Sequence, residues 1–409
     1  MYKLLKNFIF LFAGNLLSKV LSFFVTIIIV RTISVEWYGI FKWYNTIISY
    51  LILFLNLGYD TYFYKLIINQ KYPVEKAIAL QLKTRLWIAL LIIIVSYVIL
   101  LNLNIPLINK VIFCIMLSQL IFYSLNIEIF YRIREQFFIL SLIMVISSVL
   151  NLILLYSFVN SENDIIDVVL VTVIGNFILV AFLWIFARRF IQVKLKKVII
   201  YVQKLKFHSI FYHVKRSIII NISYFMINIY YNLDTLMLGI FRSEKEVALY
   251  SAAYTFLLIA IMPTNILFSA FSSYLSKNKY VKNVFINYFS VTFLMGILLF
   301  GFFFIFHKEF ILMAYGSKYE NATDVLFWLS FDIIPCYLAG AFANPINLWG
   351  DYKSYLTIVS IGAIGNLIGN IIAIPLYGIK GAIFTTILSE VLVTIGGLIY
   401  WKTNKRLLK

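Results

Sequence analysis

Polar chemistry is scarce in this chain of 409 residues: 13% are charged, three are histidine and two are cysteine, and 17 acids stand against 35 Lys and Arg. So little charge excludes a soluble enzyme or a disordered protein. Soluble domains carry about 25% charged and about 45–50% apolar residues, against 63% apolar here. Cys114 and Cys336 each sit inside an apolar run. They exclude a secreted disulfide scaffold and read as ordinary buried side chains. Catalytic signatures are missing too. There is no G-x-x-x-x-G-K-[ST], no H-E-x-x-H, no G-x-S-x-G and no C-x-x-C, so nothing suggests nucleotide hydrolysis or the chemistry those motifs carry. The acidic segment NSENDIID at 160–167 lacks the spacing and glycine of a calcium loop. His208 and His213 have no acidic or cysteine neighbours in sequence, so neither a metal nor a cofactor is expected.

What the chain has instead is apolar length. Blocks of about 20 apolar residues match a hydrocarbon core about 30 Å thick, and their continuous character excludes an outer-membrane barrel, whose strands alternate. Twelve spans are expected, at about 8–30, 38–57, 84–103, 107–127, 137–158, 168–187, 217–240, 248–275, 284–306, 325–345, 355–375 and 382–401. Lys3 and Lys6 precede the first run as they would in a signal peptide. That run continues to Val30 without a small-x-small cleavage site, so it is read as a retained first helix.

With both termini cytoplasmic, 26 of the 35 basic residues fall in cytoplasmic segments and 6 in outer loops, the asymmetry that basic residues impose on topology. In a soluble protein such a surplus would point to nucleic acid; here it sets orientation, and no nucleic-acid partner is expected. Six of the seven Trp residues fall near the interfaces, as an aromatic belt requires. The longest basic segment, 188–216, divides the chain into an N-terminal bundle at 1–187 and a C-terminal bundle at 217–409, six helices each. Its Ile191, Val193, Leu195, Val198 and Ile199 alternate with Lys and Arg, which fits either an amphipathic surface segment on anionic lipid or a solvated basic loop. SVEWYGIFKWYN at 34–45 is weakly like SEKEVALYSAAYT at 243–255, consistent with a parallel duplication.

Polar residues inside the spans carry the functional signal. A central Lys or Asp costs about 2.5–3.5 kcal/mol on insertion scales, so it should face a partner or water. Helical spacing puts Asn15, Lys19, Ser22 and Thr26 on one stripe of the first span, and Lys42, Asn45, Ser49 and Asn56 on one stripe of the second. In the seventh, Asn221, Asn228, Asn232 and Thr235 share a face, with Asp234 at its outer end. The eighth carries Tyr250, Ser251 and Tyr254, then Pro263, where a kink is expected. Spans 3, 5 and 6 are weakly polar. This pattern suits two halves facing a water-accessible cavity; interhelical hydrogen bonding is the alternative. Lys19 and Lys42 have no carboxylate on their own helices within the membrane, so they would attract an anion in a low-dielectric cavity, or pair with Asp332 and Glu390 from the tenth and twelfth spans. The substrate-contact candidates are Lys19, Lys42, Asn15, Asn45, Ser49, Asn228, Asn232 and Tyr254. The ion-coupling candidates, for H+ or Na+, are Asp234, Asp332 and Glu390. In GAIGNLIGN at 362–370, the Gly365/Gly369 pair with Asn366 and Asn370 reads as close helix packing.

Four stretches, in order, resemble the Wzx-type polysaccharide flippases of the multidrug/oligosaccharidyl-lipid/polysaccharide exporter superfamily. They are GNLLSKVLSFFVTIIIVRTISVEWYGIFKWYNTIISYLILFLNLGYDT at 14–61, LDTLMLGIFRSEKEVALYSAAY at 233–254, MAYGSKYENATDVL at 313–326 and GNLIGNIIAIPLYGIKGAIFTTILSE at 365–390. The second departs from the family's pattern in having Ala248 where the family often has Gly. The resemblance implies an all-α integral membrane fold, about 12 transmembrane helices in two six-helix bundles around a central cavity, working by alternating access. It implies a non-enzyme of the bacterial inner membrane that exports an undecaprenyl-pyrophosphate-linked oligosaccharide for O-antigen, lipopolysaccharide or capsule assembly, beside glycosyltransferases and a polysaccharide polymerase. The pyrophosphate would meet Lys19 and Lys42. A cation-coupled multidrug antiporter of the same superfamily would need acids in the first-half cavity, where Lys19 stands. An integral-membrane polysaccharide polymerase would need a large outer catalytic loop, which the chain lacks.

Overall fold

The computed structural model describes residues 2–70 and 72–403. Their regular structure is helical throughout. The chain folds into two compact units, Met1–Phe225 and Met226–Lys409. Unit 1 holds α1 (Tyr2–Thr32), α2 (Val35–Asn56), α3 (Tyr59–Gln70), α4 (Val74–Asn102), α5 (Leu107–Leu117), α6 (Gln119–Ser124), α7 (Glu128–Ile133), α8 (Phe137–Phe158), α9 (Ile165–Phe190), α10 (Leu195–Lys204) and the start of α11 (Phe207–Phe241). Unit 2 holds the rest of α11, then α12 (Glu244–Lys277), α13 (Lys282–Tyr315), α14 (Asn321–Ser330), α15 (Ile333–Leu348), α16 (Tyr352–Tyr377) and α17 (Ile379–Thr403).

Eleven stretches of the described residues are long and apolar enough to cross a membrane, and the shorter apolar stretch Asn232–Phe241 lies where the seventh span is expected. The chain is an all-helical, multi-pass integral membrane protein. Two expected spans are broken helices. The fourth divides at Ser118 into α5 and α6, and the tenth divides at Phe331 and Asp332 into α14 and α15. Segments expected as loops are partly helical: α3 and α4 occupy most of 58–83, and α7 most of 128–136. Leu57 at φ 51° and Gly58 at φ 69° turn the chain between α2 and α3, a left-handed geometry that ends a helix.

Local chemistry explains the ends. The Ser34 side chain accepts from Trp37 N at the start of α2, and Ser243 accepts from Glu246 N at the start of α12, each an N-cap. The two weakly similar segments therefore occupy the same structural position, the start of the second long helix of each half. Pro263 lies within α12, which is helical on both sides of it. The basic segment is folded onto unit 1. Ile191, Val193 and Val198 are buried, whereas Leu195 and Ile199 are exposed. Lys83 Nζ donates to Val202 O at 3.0 Å and Leu205 O at 2.8 Å, satisfying carbonyls at the α10 C-terminus and complementing its negative end.

Small residues set the close helix contacts. A Cβ on Gly14 would stand 2.3 Å from Ser141 Cβ, which fixes the approach of α1 to α8. A Cβ on Gly369 would stand 2.8 Å from Thr385 Cγ2, and one on Gly365 2.7 Å from Leu392 Cδ1. The GxxxG face thus packs α16 on α17, as expected.

Candidate functional site

The most elaborate polar cluster among the described residues lies in unit 2 around Asp234, which is 2% exposed. A buried carboxylate is tolerated only when its oxygens are satisfied, and three helices, α12, α16 and α17, supply the partners. Tyr250 OH donates to Oδ2 at 2.6 Å and Thr386 Oγ1 to the same oxygen at 2.8 Å. Asn370 Nδ2 donates to Oδ1. A further layer supports these: Asn370 Nδ2 also reaches Asn366 Oδ1 at 3.0 Å, and Thr385 Oγ1 donates to Asn370 Oδ1. Tyr254 stacks on Tyr250 at 5.4 Å and 19°. The result is one carboxylate that accepts from a phenol, a hydroxyl and a carboxamide N–H, with no cation among its partners in the described residues.

The other two acids lie in the same unit. Asp332, 2% exposed, occupies the break between α14 and α15, at the N-cap of α15, where a helix N-terminus favours negative charge. Its Oδ1 is buried without a hydrogen-bond partner, and it interacts electrostatically with Glu390 and Asp234. Glu390 and Cys336 line a cavity of about 170 Å³ with Thr264, Asn265, Asn344 and Tyr355.

In unit 1, Lys19 is exposed and Asn15 half-buried on α1. Lys42, Asn45 and Ser49 are half-buried on α2. Lys42 Nζ lies 5.4 Å from the centroid of the Tyr38 ring, a cation–π contact. Within unit 1 neither lysine forms an ion pair with a carboxylate among the described residues. The hydroxyls of the stripes are turned back on their own helices: Ser22 to Ser18 O, Thr26 to Ser22 O and Ser49 to Thr46 O. Asn56 leaves the second stripe, since its Oδ1 accepts from Arg85 at 2.9 Å. In unit 2, Asn232 is half-buried. The side chain of Asn228 lies outside the described residues.

Sequence reasoning placed Asp234 but missed most of its partners. Asn366 and Asn370 read as packing glue, and they serve that role and the carboxylate together. Thr385 and Thr386 gave no signal, because single hydroxyls in a helix are common. Arg85 was counted only as a basic residue near a helix end, yet it is 1% exposed. A cation so near an apolar run was the available clue.

Residues 4–275 match the family described as polysaccharide biosynthesis protein. Among solved structures, the inward closed form of the lipid II flippase MurJ aligns with a TM-score of 0.74 at 15% identity, over 98% of this chain and 89% of that one. An inward-facing multidrug resistance MATE family transporter of the MOP superfamily aligns with a TM-score of 0.72 at 12% identity, over 94% of each chain. The MATE transporter VcmN of Vibrio cholerae gives 0.63 at 14% identity over the whole of both. At these identities the likeness shows a shared fold. No curated protein matches the chain by sequence.

Proposed function

Since the chain belongs to the polysaccharide biosynthesis protein family, we propose that it is a flippase. Its passenger is an undecaprenyl-pyrophosphate-linked oligosaccharide repeat unit, moved across the bacterial inner membrane by alternating access for O-antigen or capsular polysaccharide assembly. It carries out no enzymatic step of its own. The observation that supports this passenger is the pair of lysines, Lys19 and Lys42, on the polar faces of α1 and α2 with no carboxylate partner in their unit. A pyrophosphate headgroup supplies the missing negative charge, and its attraction to the lysines grows as water is excluded. Asn15, Asn45, Ser49, Asn232 and Tyr254 would meet sugar hydroxyls, and the polyprenyl tail stays in lipid.

Asp234 is the group at which H+ or Na+ would be exchanged, because it is a buried carboxylate held by neutral donors and not by a cation, so its negative charge is left for a proton or a small cation to balance. Asp332 and Glu390 stand in the same unit as further carriers of charge. A cell lacking the chain should accumulate lipid-linked repeat units in its inner leaflet, and the wild-type gene should clear them. Lys19→Ala and Lys42→Ala should each reach the membrane at normal abundance and fail to clear the intermediate. Full activity in both variants would remove the headgroup assignment.

A further inference from the structure

Unit 1 holds a second polar chamber away from the stripe residues Lys19 and Lys42. A cavity of about 360 Å³ opens between α3, α4, α6 and α7, at the small end of the range of about 300–1,000 Å³ usual for ligand pockets. Arg85 is its deepest wall. The Arg85 Nη2 donates to Asn56 Oδ1 at 2.9 Å and to Asp60 Oδ1 at 3.0 Å, and its guanidinium lies 5.2 Å from the centroid of the Tyr123 ring. On the α7 wall, Arg132 Nε and Nη2 both donate to Glu128 Oε1, at 3.0 Å and 2.6 Å. Each carboxylate is therefore engaged through one oxygen, and the other oxygen of Asp60 and of Glu128 has no protein partner among the described residues. Arg85 Nε is buried and also without a partner. Both of those carboxylate oxygens stay accessible, the Asp60 side chain being 37% and the Glu128 side chain 25% exposed, so each is open to a ligand that enters the chamber.

The charge balance decides what fits. Two guanidinium groups and two carboxylates cancel, so a phosphate would gain nothing from net charge and would meet two half-engaged carboxylates. A pyranose suits the chamber better. Each sugar hydroxyl both donates and accepts, so the carboxylates take protons while guanidinium and the Asn126 amide give them. Tyr64 and Tyr123 add flat apolar faces for the C–H side of the ring.

We propose that this chamber is a sugar-binding subsite, which holds one pyranose of the glycan at the end of unit 1 that carries the basic segments. It rests on the transport function proposed above and adds a recognition step to it. Saturation-transfer NMR on the purified full chain in detergent tests it, with the methyl pyranosides of glucose, galactose, mannose and N-acetylglucosamine as probes and inorganic pyrophosphate as competitor. Tyr64→Ala and Glu128→Ala leave the Arg85–Asp60 pair in place, and an unchanged unfolding temperature confirms each fold. At least one pyranoside should bind the wild type, bind each variant about fivefold more weakly, as losing one hydrogen bond or stacking contact implies, and ignore pyrophosphate. No pyranoside binding, undiminished binding in both variants, or displacement by pyrophosphate overturns the subsite. The transport proposal fails separately: a deletion strain that accumulates no lipid-linked repeat unit removes it without altering sugar binding.

Discussion

Asp60 and Arg85 show how burial makes one ion pair asymmetric. Arg85 is fully buried, while the Asp60 side chain is 37% exposed, so water can take over from a lost partner on one side only. Asp60→Ala strands a buried cation, a loss of about 3–5 kcal/mol in comparable pairs. Arg85→Met removes the cation and leaves a carboxylate that water reaches, a loss of about 1–3 kcal/mol. Thermal unfolding in detergent should therefore show Asp60→Ala the less stable of the two, and the reverse order would place the guanidinium in water. Asp234 poses a different case, because hydroxyl and amide donors rather than a cation hold it. Asp234→Asn keeps the shape and removes the charge. It should accumulate in the membrane at wild-type abundance yet lose export whichever gradient, Na+ or H+, is imposed. Export that still responds to one of those gradients would assign coupling elsewhere.

At the scale of the element, the start of α11 is fastened within unit 1 by His213. Tyr62 OH lies 2.8 Å from His213 Nδ1, and Tyr62, Tyr72 and Tyr212 meet the imidazole edge-on. Burial pushes the imidazole below its ordinary 6.5, and the charges of Lys76 and Arg216 push the same way. With the folded value depressed, the docked helix gains nothing from a proton that the undocked one binds below about 6.5. Docking is therefore strongest above that pH, and weakens as pH falls from there through the folded value. The protection factors of residues 207–216, which correct for the base-catalysed intrinsic rate of amide exchange, should be higher at pH 7.5 than at pH 5.5 in the wild type. In His213→Gln the two should be alike; an unchanged pH response in that variant would move the titrating group elsewhere. The same scale shows where pattern reading stops. Apolar periodicity cannot distinguish one span from two half-helices, so the break at Phe331 and Asp332 left a single trace, an acid inside an apolar run. The weakly similar segments 34–45 and 243–255 share one visible feature, a serine N-cap at the start of a long helix, Ser34 in one and Ser243 in the other.

For the whole molecule, the membrane class and eleven of the twelve expected spans were legible because hydrocarbon thickness forces apolar blocks of one length on any helical chain. The candidate site was legible only in part. Helical spacing exposes residues on one helix, such as Lys42, Asn45 and Ser49, but the Asp234 cluster joins residues 234, 250, 366, 370, 385 and 386, and no spacing along the chain links them. Orientation is the remaining whole-molecule property, and it follows from charge alone. Basic residues resist transfer across the membrane, so the end of each unit that carries them is expected to face the cytoplasm. Lys206 and Lys245 are both exposed and fall on opposite sides in that assignment. In a chain whose Cys114 and Cys336 are replaced by Ala, Lys245→Cys should react with an impermeant maleimide in right-side-out vesicles. Lys206→Cys should react only after the vesicles are opened. The opposite pattern would invert the topology and put the sugar chamber on the outer face, where a recognition step before export has no use.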